Sequence, residues 1–191
     1  MLQLRRVFCV VARYETLSST SDGYQMAFPA SGFSLLQKLF GVEAECFASP
    51  LNVTLDKFCS VAFDTDRFFG SAGSFWKFPG RDPRWSSPDP DVLRGGGSYE
   101  ANPPFVEEVM DEMAVRIIAL LQDAEQRNVP LSFCVIVPGW GGDWKLLKEF
   151  TNSEFSRPSP GYYLVLDRKK HNYRPGMQHR ATHDEQPSNV E

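Results

Sequence analysis

The chain has 191 residues, of which 42% are hydrophobic, 13% aromatic and 23% charged, which makes one domain of ordinary size. This composition excludes collagen, coiled coil and wholesale disorder, and no stretch reaches the roughly 18 apolar residues of a membrane span. A formal charge of −4 argues against a general nucleic-acid coat, which would be strongly basic.

The N-terminal MLQLRRVFCVVARYE carries an apolar run too short for a secretory signal, so the chain is read as intracellular with no membrane partner. The first predicted helix is Ser31 to Phe40. Ser31 is its N-cap, Phe33, Leu35, Leu36, Leu39 and Phe40 form its apolar face, and Gly41 stops it. Val42, Ala44, Cys46 and Ala48 then alternate with Glu43, Glu45 and Phe47, which predicts a strand ending at Ser49-Pro50. Residues 53–59 read as a helical turn or two, and Ser60 to Phe63 as a second strand ending in Asp64-Thr65-Asp66. From about 70 to 97 the chain is rich in Gly, Pro, Ser and Trp and reads as a long loop.

A short strand is expected at Ser98 to Ala101, and the strongest helix from Phe105 to Arg127. In that helix Val106, Val109, Met110, Met113, Ile117, Leu120, Leu121 and Ala124 recur at three- and four-residue steps. Leu131 to Val137 reads as a buried parallel strand ending at Pro138-Gly139-Trp140. Asp143 can cap a short helix to Phe150, and Gly161 to Leu166 reads as a further strand. The expected organisation is one domain over 1–179 and a polar tail over 180–191. Basic residues cluster at Arg5, Arg6 and Arg13 and again from Arg168 to Arg180, an arrangement suited to touching a few phosphates. Cys9, Cys46, Cys59 and Cys134 form no CxxC pair and read as buried thiols, and no metal site is expected.

Strands alternating with helices predict an α/β fold, a three-layer αβα sandwich around a mostly parallel sheet. Ligands in such sheets bind outside the carboxyl ends of the strands. Those ends here carry SPLN, DTD, NPPF and PGW.

Asn102-Pro103-Pro104-Phe105, after a strand and before a long helix, has a specific chemical use. The prolines fix two φ angles and remove two N–H donors, and each preceding residue is pushed towards extended backbone. The Asn102 side-chain oxygen and the Pro103 carbonyl can then converge on one planar –NH2 group while Phe105 stacks on its ring. A nitrogen held between two acceptors keeps its lone pair free for in-line attack on a methyl group, so catalysis is positioning. The bland reading of the same residues is a proline-rich turn that starts a helix. A methyl donor needs a pocket upstream. Glu45, Ser49, Pro50 and Asn52 fit its amino-acid end, and Asp64 or Asp66 fits its ribose hydroxyls. No GxGxxG is present to support a nicotinamide dehydrogenase.

LFGVEAECFASPLN (39–52), FDTDRFFGSAG (63–73), GSYEANPPFVEEVMDEM (97–113), PLSFCVIVPGW (130–140) and HNYRPGMQH (171–179) together resemble one family. It is the phosphorylated C-terminal-domain-interacting factor family, the cap-specific adenosine N6-methyltransferases of eukaryotic messenger RNA. The resemblance implies a Rossmann-like domain that uses S-adenosyl-L-methionine to methylate the N6 amine of the cap-adjacent adenosine, in the nucleus. Its partner is capped mRNA starting with adenosine. Carried over by residue, Asn102, Pro103, Pro104 and Phe105 are the catalytic corner, and Glu107, Trp140, Tyr173 and Arg174, with His179 beside them, contact the RNA. The family's WW module, which reads the phosphorylated RNA polymerase II C-terminal domain, and its helical domain have no counterpart in these stretches. The sheet is expected to end in a truncated C-terminal edge. Two other readings use the same residues. One is a methyltransferase for another planar amine, such as adenine in DNA or internal RNA or a protein glutamine. The other is a weakly active or inactive remnant that binds RNA or protein.

Overall fold

The computed structural model describes residues 2–17, 26–77, 96–138, 148, 150, 152–156, 164–166, 172–173 and 186–187. The chain opens with a helix, α1 (Leu2–Leu17), that sequence periodicity did not single out. Its Val10 and Tyr14, four residues apart, are buried. The next helix, α2 (Ala30–Phe40), begins one residue earlier than expected. Pro29 occupies the N-cap with φ −67°, so Ser31 lies inside the first turn and caps nothing. A proline suits this place because its missing N–H would have had no helical partner. Gly41 stops the helix as expected, in the left-handed region at φ 67°, and donates its N–H to the Gln37 carbonyl.

Four parallel strands follow: β1 (Ala44–Glu45), β2 (Lys57–Phe58), β3 (Gly97–Ala101) and β4 (Leu131–Val135), in the order β2-β1-β3-β4. The architecture is therefore mixed α/β around a parallel sheet. The second strand differs from expectation. Residues 53–59 form no helical turn, the strand falls at Lys57–Phe58, and Ser60 to Phe63 is not a strand. The ladder decides this. Cys59 N–H reaches the Glu45 carbonyl at 2.8 Å and Ala72 N–H reaches the Phe58 carbonyl at 2.7 Å. Past that point the Ala62 carbonyl accepts from Thr65 and Asp66, which turns the chain into a short helix, α3 (Phe63–Asp66).

β3 lies close to where it was expected. Gly97 enters it at φ 126°, in the region that side-chain-bearing residues rarely adopt, which favours glycine there. The long helix α4 (Glu107–Gln126) buries Met110, Met113, Ala114, Ile117, Leu120 and Ala124, the stripe its spacing predicts. β4 is parallel but only half buried, with Ser132 exposed, because it is the outermost strand of the sheet among the described residues. A short antiparallel pair, β5 (Asn172–Tyr173) and β6 (Gln186–Pro187), forms apart from the main sheet. Lys148, Phe150 and Asn152 are helical, within or beside the helix expected after Asp143. Leu164, Val165 and Leu166 are exposed and join no strand.

Strand alternation splits the core into two layers. Tyr99, Ala101 and Phe133 face α4, whereas Cys134 on the opposite face packs with Phe33 and Leu36 of α2. Helices thus cover both faces of the sheet. Cys46 and Cys59 are buried, Cys134 is half-buried, and Cys9 is exposed on α1 rather than buried as expected. Among the described residues no helix is long and apolar enough to cross a membrane, and no group of three His, Cys, Asp or Glu side chains is placed to hold a metal.

Candidate active site

The carboxyl ends of β1, β2 and β3 open into one cleft of about 140 Å³. Cys46, Phe47, Ala48 and Asn52 come from the end of β1, Cys59, Ser60 and Val61 from the end of β2, and Asn102 to Phe105 from the end of β3. Tyr14 of α1, Met26, Phe75, Trp76 and Tyr173 close the sides.

Asn102 carries the most informative atom. Its Oδ1 is buried and has no hydrogen-bond partner among the described residues. A buried acceptor without a partner costs about 1–3 kcal/mol. The neighbouring Pro103 and Pro104 offer no N–H to satisfy it. Pro104 instead uses its carbonyl to accept from Val106 N–H at 2.7 Å, which anchors the corner to the start of α4. Phe105 meets Tyr173 edge-on, with ring centroids 6.1 Å apart, and Tyr173 in turn meets Phe28. An orphaned acceptor beside an aromatic ring, at the mouth of a cleft, fits a planar amine.

The expected donor-binding residues divide. Asn52 lines the cleft, but its Oδ1 is engaged by Ser49, from the backbone N–H at 2.7 Å and the hydroxyl at 3.0 Å. Ser49 is buried in that turn and Pro50 is half-buried beside it. Glu45 lies behind the wall, where Oε1 accepts from the backbone N–H of Thr54 and Leu55 at 2.6 Å each. Glu45, Ser49 and Pro50 therefore shape the loop that presents Asn52. Asp64 lies outside the cleft, paired with Arg13 on the surface, and the guanidinium holds its carboxyl below the usual range. Asp66 is fully buried and accepts from the Tyr14 hydroxyl at 2.5 Å and from Thr65 at 2.9 Å. Burial and that carboxylate push the Tyr14 phenol up.

Among the expected substrate residues, Tyr173 lines the cleft and Glu107 is exposed at the first position of α4. Trp140, Arg174 and His179 lie outside the described residues. Sequence reasoning missed Tyr14, Ser60 and the aromatic wall of Phe47, Phe75 and Trp76. The wall's ring centroids stand 4.8 to 5.8 Å apart. Arg116 braces it by donating from Nε to the Phe75 carbonyl at 2.9 Å. The spacing of Val7, Val10 and Tyr14, one helical face, was the available signal for Tyr14. The thiols at the cleft are inert: burial pushes Cys59 up to about 12 and Cys46 well above its ordinary range.

Proteins of Mus musculus and Homo sapiens named "mRNA (2'-O-methyladenosine-N(6)-)-methyltransferase" are each 37% identical to the chain over 187 residues. The match takes in 95% of this chain and 24% of each relative, so the chain spans about a quarter of their length. The family model described as "Phosphorylated CTD interacting factor 1 WW domain" matches residues 2–176, a span that includes the parallel sheet and helices α1 to α4. With that much of its length matched, the chain belongs to the phosphorylated CTD interacting factor 1 family.

Proposed function

We propose that the chain is a Rossmann-like methyltransferase domain that acts on the N6 amine of the cap-adjacent adenosine of mRNA. The observation that carries this reading is the buried, unpartnered Oδ1 of Asn102 at the carboxyl end of β3. The names of the relatives supply the substrate class. When bound, S-adenosyl-L-methionine supplies the electrophilic methyl group.

The chain's own residues bind and orient. Asn102 Oδ1 and the Pro103 carbonyl accept the two N–H bonds of the amine and fix its plane. Phe105, held edge-on by Tyr173, stacks on the adenine. Asn52, on the loop that Glu45 ties down, and Ser60, whose hydroxyl is held by Ser71 at 2.6 Å, line the donor's side of the cleft from the ends of β1 and β2. The wall of Phe47, Phe75 and Trp76 excludes water and offers a second flat surface to a nucleobase. Glu107, Trp140 and Arg174 are assigned to the RNA. The aligned and dried site lowers the barrier by proximity and orientation.

The test is transfer of a labelled methyl group from S-adenosyl-L-methionine to short RNAs that begin with adenosine, capped and uncapped. Transfer to the capped RNA alone is expected. Transfer to neither, with donor binding intact, would leave a binding module in place of an enzyme.

A further inference from the structure

Glu100 is 1% exposed, and its Oε1 has no hydrogen-bond partner among the described residues. It sits near the carboxyl end of β3, two residues before Asn102. Its partner across the parallel ladder is Glu45, so two carboxyl groups stand side by side on one face of the sheet. They are not equivalent. Glu45 Oε1 accepts two backbone N–H bonds, an arrangement that holds an anion. Glu100 is the neutral member, because burial and the Glu45 charge hold its carboxyl well above the usual range. Among the described residues the titratable groups around it are Glu45 and Cys134, its partners across the ladder, Cys46, whose N–H reaches the Glu100 carbonyl, and Tyr173, and none of these is a cation. Asn102, two residues beyond it at the end of β3, and Tyr173 both line the cleft, so Glu100 lies behind its wall. A positive charge placed in the cleft is the missing partner of the ionised form.

We propose that Glu100 senses the charge of the donor: it is neutral in the free protein and gives up its proton when a sulfonium-bearing ligand occupies the cleft. The O–H bond of the carboxyl breaks, the proton passes to solvent, and no bond to the ligand forms. The charged donor is thereby held more tightly than its uncharged thioether product, which favours product release. The inference rests on the methyl-donor reading above.

Calorimetric titration of the full chain in two buffers of different ionisation enthalpy counts the protons released per ligand bound. S-adenosylmethionine and S-adenosylhomocysteine share their amino acid and nucleoside and differ in the sulfonium, so the ligand's own ammonium cancels in the comparison. S-adenosylmethionine is expected to release up to about one proton more than S-adenosylhomocysteine. Its affinity relative to the thioether then rises up to about tenfold per pH unit over the range in which Glu100 titrates. Glu100→Gln is expected to abolish both differences, and a thermal melt checks that the variant is folded. Equal proton counts for the two ligands on the unaltered chain overturn the inference whether or not the variant folds. So does an undiminished difference in the folded variant. Failure of the chain to bind either ligand overturns the methyl-donor reading and this inference with it, whereas binding without a proton difference overturns this inference alone.

Discussion

Replacing Asn102 by alanine should separate stability from activity, because the side chain carries opposite signs in the two. In the free protein its Oδ1 is buried without a partner among the described residues, at a cost of about 1–3 kcal/mol. Asn102→Ala removes that cost and gives up the packing of one small amide, so the two effects nearly cancel. The net change in folding free energy should stay within about 1 kcal/mol. That moves Tm by no more than about 2–4 °C in a chain of this size. Methyl transfer should respond very differently. The variant loses one of the two acceptors proposed to hold the amine, in a water-poor corner beside buried Pro103 and half-buried Phe105. A polarised hydrogen bond in such a site plus the lost orientation amounts to about 2.7 kcal/mol, or roughly 100-fold in rate. Three readouts on one preparation decide it: a melting curve, a donor-binding titration, and labelled methyl transfer to capped RNA at saturating donor. Unchanged Tm and donor affinity with a rate down about 100-fold is the expected pattern. A rate within about threefold of the parent refutes the acceptor role. A fall in Tm beyond about 10 °C refutes the stability argument, since it would make Asn102 a structural residue.

Other expectations follow from the same packing. Tyr14→Phe removes the phenol that donates to fully buried Asp66 and should cost about 1–3 kcal/mol, seen as a Tm lowered by roughly 2–12 °C. A Tm within a degree of the parent would mean that Asp66 finds another donor. Met113→Ala opens a cavity between α4 and the sheet at a site with no exposure, and should cost about 2–5 kcal/mol by thermal or denaturant unfolding. A cost below about 1 kcal/mol would show that the layers collapse onto the gap. Glu100 adds a pH term with a definite sign. Its folded carboxyl titrates above its unfolded value, so its contribution is complete below the unfolded pKa of about 4.3 and is lost as pH rises towards the folded value. The slope reaches at most about 1.4 kcal/mol per pH unit. Glu100→Gln should flatten the dependence of Tm on pH above 5, and equal slopes for the two proteins would contradict it.

Much of this was legible from the residues. The apolar stripe of α4, the short strand before Asn102, the stop at Gly41 and the corner itself all depend on local spacing and local backbone chemistry. A helix repeats every 3.6 residues, a proline fixes its own φ, and glycine alone is easy at positive φ, so neighbours in sequence suffice. The matching stretches pointed to the family for the same reason: they are contiguous runs. What the residues could not decide was which segments pair. Residues 57–58 became a strand, and 60–63 did not, because the backbone of 58–59 meets Glu45 and Ala72. That shift of a few residues carries Asp64 and Asp66 onto α3 and away from the cleft, and brings Ser60 into it. Only the tertiary structure joins Tyr14 to Asp66, 52 positions apart, or sets Glu100 against Glu45. Hydrogen-bond ladders and the electrostatics of buried carboxyl groups act through space, and their partners are chosen when the chain closes on itself.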